Sequence, residues 1–229
     1  MPPIYNVTPF TMLDYPGKTA CIVWFSGCNM RCGYCHNPEI VEGKGRFSAD
    51  RVLEFLRKRK GLLDGVVLSG GEPCLFKSIV DFSTQIKSLG YALKLDTNGT
   101  RPGIVRKMLD KKLPDYVALD YKAPFPLYKK ITATRLFGKF EETLALLCGQ
   151  DRVPFEVRTT VHRDQLGEQA VAVIMDDLSA HGFKGIYYVQ NYTNANNAPT
   201  LGSLPVQKLT LDIRKLPQPK GFTLEFRNF

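Results

Sequence analysis

No stretch of the 229 residues approaches eighteen uninterrupted apolar side chains, so nothing in the sequence reads as a membrane span. The opening run, Met1-Pro-Pro-Ile-Tyr-Asn6, has neither the basic flank nor the apolar core of a secretory signal, and a reducing cytoplasm is the expected compartment. Cysteine is scarce at six residues and histidine scarcer at three. A disulfide framework is not expected from a chain long enough to bury an ordinary core. Internal repeats, low-complexity tracts and linkers are also missing, which leaves one domain over residues 1–229.

Charge is unbalanced rather than absent. Lysine and arginine outnumber aspartate and glutamate by 31 to 22, a formal charge of +9. That surplus favours encounters with acidic partners, whether nucleic acid, nucleotides or an acidic electron-transfer protein, without choosing among them. The densest run, Arg57-Lys-Arg-Lys60, falls at the end of a predicted helix before Gly61, where cations complement the helix dipole.

What is present is an alternation of short apolar runs with helical periodicity. Strands are expected at Thr19–Phe25, Gly65–Ser69, Tyr91–Leu95, Tyr116–Leu119, Phe155–Val161 and Gly185–Val189. Helices are expected from Ser48, an N-cap, to about Lys60, then near Ser78–Leu89, Ile104–Lys112, Phe140–Leu147 and Glu168–His181. These six βα-like units, or nearly six, imply an α/β fold with parallel strands, rolled into a partial (β/α)6 barrel by right-handed crossovers. Asn191 to Pro205 reads as a loop, Val206 to Leu216 as a helix and Gly221 to Arg227 as a closing strand.

In such folds ligands bind at the C-terminal ends of the strands, and the polar signals fall there. The first strand leads into Cys28-Asn-Met-Arg-Cys32-Gly-Tyr-Cys35-His36, a C-x₃-C-x₂-C loop. Three thiolates are one short of a closed metal site. In an iron-sulfur cubane, normally held by four cysteines, three would leave one iron open to an outside ligand. The competing reading is half of a zinc knuckle, for which the chain offers no second Cys/His pair, His162 and His181 standing alone. Later strands end in Ser69-Gly70-Gly71-Glu72-Pro73, Asp96-Thr97-Asn98-Gly99, Asp120-Tyr121-Lys122 and Gln190, while Arg158 lies inside a strand. Each could be an ordinary turn or surface residue, but a common site accounts for all of them together. Cys21 and Cys148 read as buried small hydrophobes, and Cys74 as either a turn residue or a reactive thiol.

The cysteine loop with Tyr34 before its last cysteine, together with Gly70-Gly71-Glu72, resembles the radical S-adenosylmethionine superfamily. Leu13-Asp-Tyr-Pro-Gly17 and Gly27 to Glu39 narrow the resemblance to activating proteins of anaerobic ribonucleoside-triphosphate reductase. Asp96 to Gly99 and Leu119 to Lys122 are similar also to pyruvate formate-lyase activating enzymes. The resemblance implies that Cys28, Cys32 and Cys35 ligate a 4Fe-4S cluster, that Tyr34 contacts adenine, and that Gly70, Gly71 and Glu72 receive the methionine ammonium of S-adenosylmethionine. It gives Asp96, Thr97 and Asp120 to a monovalent cation and sets Lys122 and Arg158 near the carboxylate and ribose. Gln190 stands where such activases carry a histidine. The ferredoxin-like insert of some activases is missing, so one cluster is expected. A glycyl radical enzyme as partner and a flavodoxin or ferredoxin as electron donor follow from the same resemblance. The alternatives are a small-molecule or nucleotide substrate, as in deazapurine synthases, and a non-catalytic iron-sulfur or zinc protein.

Overall fold

A computed structural model describes residues 3–193, 200–202, 204–205 and 207–229. The chain divides into two compact units. The first comprises residues 1–29, 37–97 and 101–118, and the second residues 30–36, 98–100 and 119–229.

In the first unit β1 (Ile4–Thr11) runs antiparallel to β2 (Ala20–Phe25). Parallel pairing then links β2 to β3 (Gly65–Gly70) and β3 to β4 (Ala92–Thr97). The sequence reading missed β1. Pro9 and two register shifts interrupt its alternation, features that suit a strand paired on one side only. The continuous apolar run of β2 is buried along nearly its whole length, as a strand covered on both faces should be. Helices α1 (Pro38–Glu42), α2 (Ala49–Lys58), α3 (Ile79–Ser88) and α4 (Pro102–Asp110) connect the strands. Ser48 caps α2 by accepting from the Arg51 N–H, and Arg57 and Lys58 occupy its last turn. The basic run is thus part of the helix end, with the Arg59 guanidinium 5.4 Å from the Phe55 ring centre.

β5 (Tyr116–Asp120) carries the chain from the first unit into the second. There β6 (Phe155–Val161), β7 (Ile186–Asn191) and β8 (Thr223–Arg227) pair in parallel, the last being the expected closing strand. Helices α5 (Phe125–Thr132), α6 (Phe137–Cys148) and α7 (Glu168–Ala180) complete the unit. Tyr121, Tyr128, Phe137 and Phe140 pack edge-on or tilted into one aromatic cluster, with Tyr121 and Phe140 centres 4.5 Å apart.

The expected helix from Val206 to Leu216 is corrected. Val206 lies outside the described residues, and 207–216 is irregular except for a 3-10 turn at Ile213–Lys215. Its backbone groups are used elsewhere. Arg163 donates to the Thr210 carbonyl at 2.8 Å, and the Asp212 N–H donates to Glu168 at 2.9 Å. A helix would have needed those groups internally.

Candidate functional site

The residues singled out in the sequence fall into two constellations, one in each unit. In the first unit, Gly70 ends β3 and Gly71 follows it, both against the segment that leads to Cys28. Gly70 has φ +115°, and a Cβ there would lie 2.5 Å from the Phe25 nitrogen. A Cβ on Gly71 would lie 2.0 Å from the Gly27 carbonyl oxygen. With no side chains in the way, the Gly71 N–H donates to Phe25 O at 2.8 Å and the Glu72 N–H to Gly27 O at 2.9 Å. The paired glycines therefore fix the backbone that precedes the first cysteine.

Glu72 is buried, and its Oε1 accepts from the Cys74 N–H and from the Thr97 hydroxyl, both at 2.9 Å. Cys74 sits in the 3-10 turn Pro73–Leu75, where burial pushes its thiol pKa well up, with the Glu72 charge adding to the shift. The structure thus makes it a buried turn residue. Cys21 is likewise fully buried, its thiol pushed up to about 12 by desolvation. The Asp96 carboxylate takes the Lys94 ammonium at 2.7 Å and the Ser69 hydroxyl at 3.1 Å.

In the second unit residues 30–36, the part of the cysteine loop that carries Cys32 and Cys35, are tied down by backbone bonds. The Cys35 N–H donates to Cys32 O at 3.0 Å, Arg31 N–H to Thr132 O at 2.9 Å, Gly202 N–H to Gly33 O at 2.9 Å and Leu201 N–H to Cys35 O at 3.1 Å. Leu201 and Gly202 of the tail therefore strap the loop. Cys32 is buried and its thiol pKa is raised by desolvation, which Lys122 partly opposes. Tyr34 is buried, with the Lys122 ammonium 5.9 Å from its ring centre.

Lys122 and Arg158 meet on Asp120. The Lys122 Nζ lies 3.0 Å from Oδ2, and Arg158 Nε and Nη2 each lie 2.9 Å from Oδ1. Burial alone would raise the Asp120 pKa, but the Arg158 and Lys122 charges outweigh it and hold the carboxyl down at about 2. Burial works against the Lys122 ammonium, yet Asp120, Tyr34 and Cys32 keep its pKa well above the ordinary lysine value. Replacing Asp120 with asparagine leaves Lys122 and Arg158 facing a neutral group there, although Arg158 keeps the buried Glu156 carboxylate at 3.8 Å. The expected cost is about 2–3 kcal/mol, read as a melting temperature lower by roughly 5–10 °C. A change under about 2 °C would mean that solvent already screens the cluster.

Gln190 lies near the end of β7, in register with Thr160 and Arg227. Sequence reasoning missed a group of three rings in the same unit. His36 stacks on Tyr192 at 5.1 Å with 13° between the planes, and the fully buried His162 packs on the same tyrosine at 5.1 Å. His162 Nε2 lies 3.0 Å from Pro205 O. Only the position of His36, directly after Cys35, could have signalled this group.

All six cysteines are free thiols. The donor set of three soft thiols on one loop fits an iron-sulfur group by its chemistry. Among the described residues, no three His, Cys, Asp or Glu side chains are already gathered at metal-binding distance. No helix among them is long and apolar enough to cross a membrane.

The family model described as the Radical SAM superfamily matches residues 22–174. A protein of Methanocaldococcus jannaschii, provisionally assigned as a glycyl-radical enzyme activating enzyme, is 29% identical over 226 residues, covering 95% of this chain and 86% of that protein. The pyruvate formate-lyase-activating enzyme of Clostridium pasteurianum is 33% identical over 126 residues, 52% of either chain. A 7-carboxy-7-deazaguanine synthase of Koribacter versatilis is 30% identical over 109 residues, 44% of this chain and 47% of that one. The chain thus spans about half the length of these last two relatives. Among solved structures, Streptococcus suis SuiB bound to its precursor peptide SuiA aligns with a TM-score of 0.67 at 14% identity, over 89% of this chain and 48% of that one. That likeness shows the fold, and the α/β class with parallel strands expected from the sequence is the one observed.

Proposed function

Because this chain belongs to the radical SAM superfamily, we propose that it activates a glycyl radical enzyme, such as an anaerobic ribonucleotide reductase, with residues 1–229 acting as one catalytic domain. The observation that carries this reading is the match to the M. jannaschii protein, which runs over nearly the whole of this chain and most of that one. When bound and reduced, a 4Fe-4S cluster would supply the electron that cleaves S-adenosylmethionine to a 5'-deoxyadenosyl radical, which takes a hydrogen atom from a backbone glycine of the partner.

The chain's own residues would do the holding and orienting. Cys28, Cys32 and Cys35 are assigned to the cluster, the last two on the loop that the tail straps. Tyr34 is assigned to the adenine. Glu72, whose orientation is set by the Cys74 N–H and the Thr97 hydroxyl, is assigned with Gly70 and Gly71 to the methionine ammonium. Lys122 and Arg158, braced on Asp120, are assigned to the carboxylate and ribose. Gln190 takes the place of a histidine and could contact the same cofactor through its amide. The surplus of basic residues suits docking of an acidic flavodoxin or ferredoxin.

A second reading, a nucleotide-like small-molecule substrate, draws on the similarity to the Koribacter enzyme. Polar contacts from Asn191 to Gly202 would favour it, but that stretch includes residues 194–199, outside the described residues. One experiment separates the two. Reduced, reconstituted protein is mixed with S-adenosylmethionine and a glycyl radical enzyme grown on α-deuterated glycine. Deuterium in the 5'-deoxyadenosine product, with a glycyl doublet in the partner's electron paramagnetic resonance spectrum, is the expected result. Cleavage that ignores the partner but responds to a purine-like or pterin-like compound would establish the second reading.

A further inference from the structure

β4 places Leu93, Lys94 and Leu95 in the interior, with Lys94 only 2% exposed. A lysine ammonium at that depth is kept only when it is paired. Its partner is Asp96, two residues along the strand and therefore on the same face, at 2.7 Å from Nζ to Oδ1. The parallel register sets Val67 beside Lys94 and Leu68 beside Leu95, and from the end of β3 the Ser69 hydroxyl donates to the second carboxylate oxygen of Asp96 at 3.1 Å.

This arrangement disagrees with one expectation drawn from the resemblance, that Asp96, Thr97 and Asp120 surround a monovalent cation. Each of the two carboxylates is met by a protein cation inside its own unit, Asp96 by Lys94 and Asp120 by Arg158 and Lys122. The Thr97 hydroxyl is directed at Glu72. A hard monovalent ion would need several oxygen donors stripped of other partners, and at Asp96 it would have to approach a fixed ammonium of like sign.

We infer that the Lys94 ammonium takes the place of a monovalent cation at Asp96, so that this enzyme holds that carboxylate without bound K⁺ or Na⁺. Lys94 is then a positioning residue. It is tethered to the strand, so no ion has to be captured and ordered, and it neutralises Asp96 while Ser69 sets the rotation of the carboxylate. The inference leans on the resemblance for the place of Asp96, but not on the identity of the hydrogen donor.

The test is cation selectivity in thermal melting, which needs no turnover and so reads independently of the glycyl-radical proposal. Anaerobically reconstituted wild-type protein is melted in K⁺, Na⁺ and tetramethylammonium chloride at equal ionic strength, beside Lys94→Met, which keeps an apolar stem but removes the charge. The wild type is expected to melt at the same temperature in all three salts. Lys94→Met is expected to show a saturable rise of about 5 °C or more in K⁺ or Na⁺ over tetramethylammonium when the ion is at a hundredfold its Kd, a rise abolished in Lys94→Met/Asp96→Asn. A saturable K⁺ or Na⁺ effect on the wild type would overturn the inference, as would a Lys94→Met protein indifferent to the ion. Should Lys94→Met fail to fold, Lys94→Gln takes its place, and the wild-type comparison remains decisive against the inference.

Discussion

Gly71→Ala is expected to lower stability by about 3–5 kcal/mol, or to prevent folding, although it adds a single methyl group. The reason is the identity of the neighbour. The new Cβ would meet the Gly27 carbonyl oxygen at 2.0 Å and its carbon at 2.6 Å, both backbone atoms with no rotamer to change. Relief requires the end of β3 to move away from residues 25–28. That movement would break the bonds from the Gly71 N–H to Phe25 O and from the Glu72 N–H to Gly27 O. It would also displace Glu72, whose carboxylate holds the Pro73–Leu75 turn. Gly103→Ala is the matched control. Gly103 lies in α4, where an added Cβ would meet nothing within 4 Å, so alanine there is expected to be neutral or to stabilise by about 0.4–1 kcal/mol. Chemical denaturation of both variants checks the pair. A Gly71→Ala protein as stable as the wild type would show that β3 and the segment before Cys28 can separate freely.

Cys32→Ala is expected to abolish S-adenosylmethionine cleavage while leaving a folded protein. Cys32 is buried and unbridged, so its loss removes one small apolar contact and costs about 1 kcal/mol, a melting shift of only a few degrees. The loop around it is held by backbone bonds at Arg31, Gly33 and Cys35, none of which uses the thiol. The functional loss should be far larger. Two remaining thiols cannot hold a cubane with one open iron, so iron content after reconstitution and 5'-deoxyadenosine formation should fall together, the latter to background. Retention of a full iron complement and of cleavage would remove Cys32 from the ligand set.

The parts of this structure that rest on local pattern were legible in the sequence. The apolar run of β2, the Ser48 cap of α2 and the strands ending at Gly70, Thr97 and Asp120 follow from period and turn chemistry. Where pattern is broken, the reading failed. β1 is interrupted by proline and by two shifts of register. α5 begins at Phe125-Pro and ends at Ala133 in a left-handed conformation, φ 57°, with no glycine to mark the stop. The supposed helix after Val206 gives its backbone groups to Arg163 and Glu168, more than forty positions away in sequence. The site shows the same division. Its cysteines, glycines and carboxylates were visible as motifs, whereas their partners were not, because Lys94 to Asp96 and Thr97 to Glu72 are questions of which face and which neighbouring strand. Lys94 did carry a signal, a lysine inside the apolar run Ala92-Leu-Lys-Leu95 two residues before an aspartate.

The most direct test of the proposed chemistry is electron paramagnetic resonance of the anaerobically reconstituted, reduced protein, recorded with and without S-adenosylmethionine. A cubane signal that changes shape when the cofactor is added is the expected result, since it requires an iron open to an outside ligand. A spectrum without a cluster signal, or one indifferent to the cofactor, would contradict the assignment of Cys28, Cys32 and Cys35 to a three-cysteine cluster.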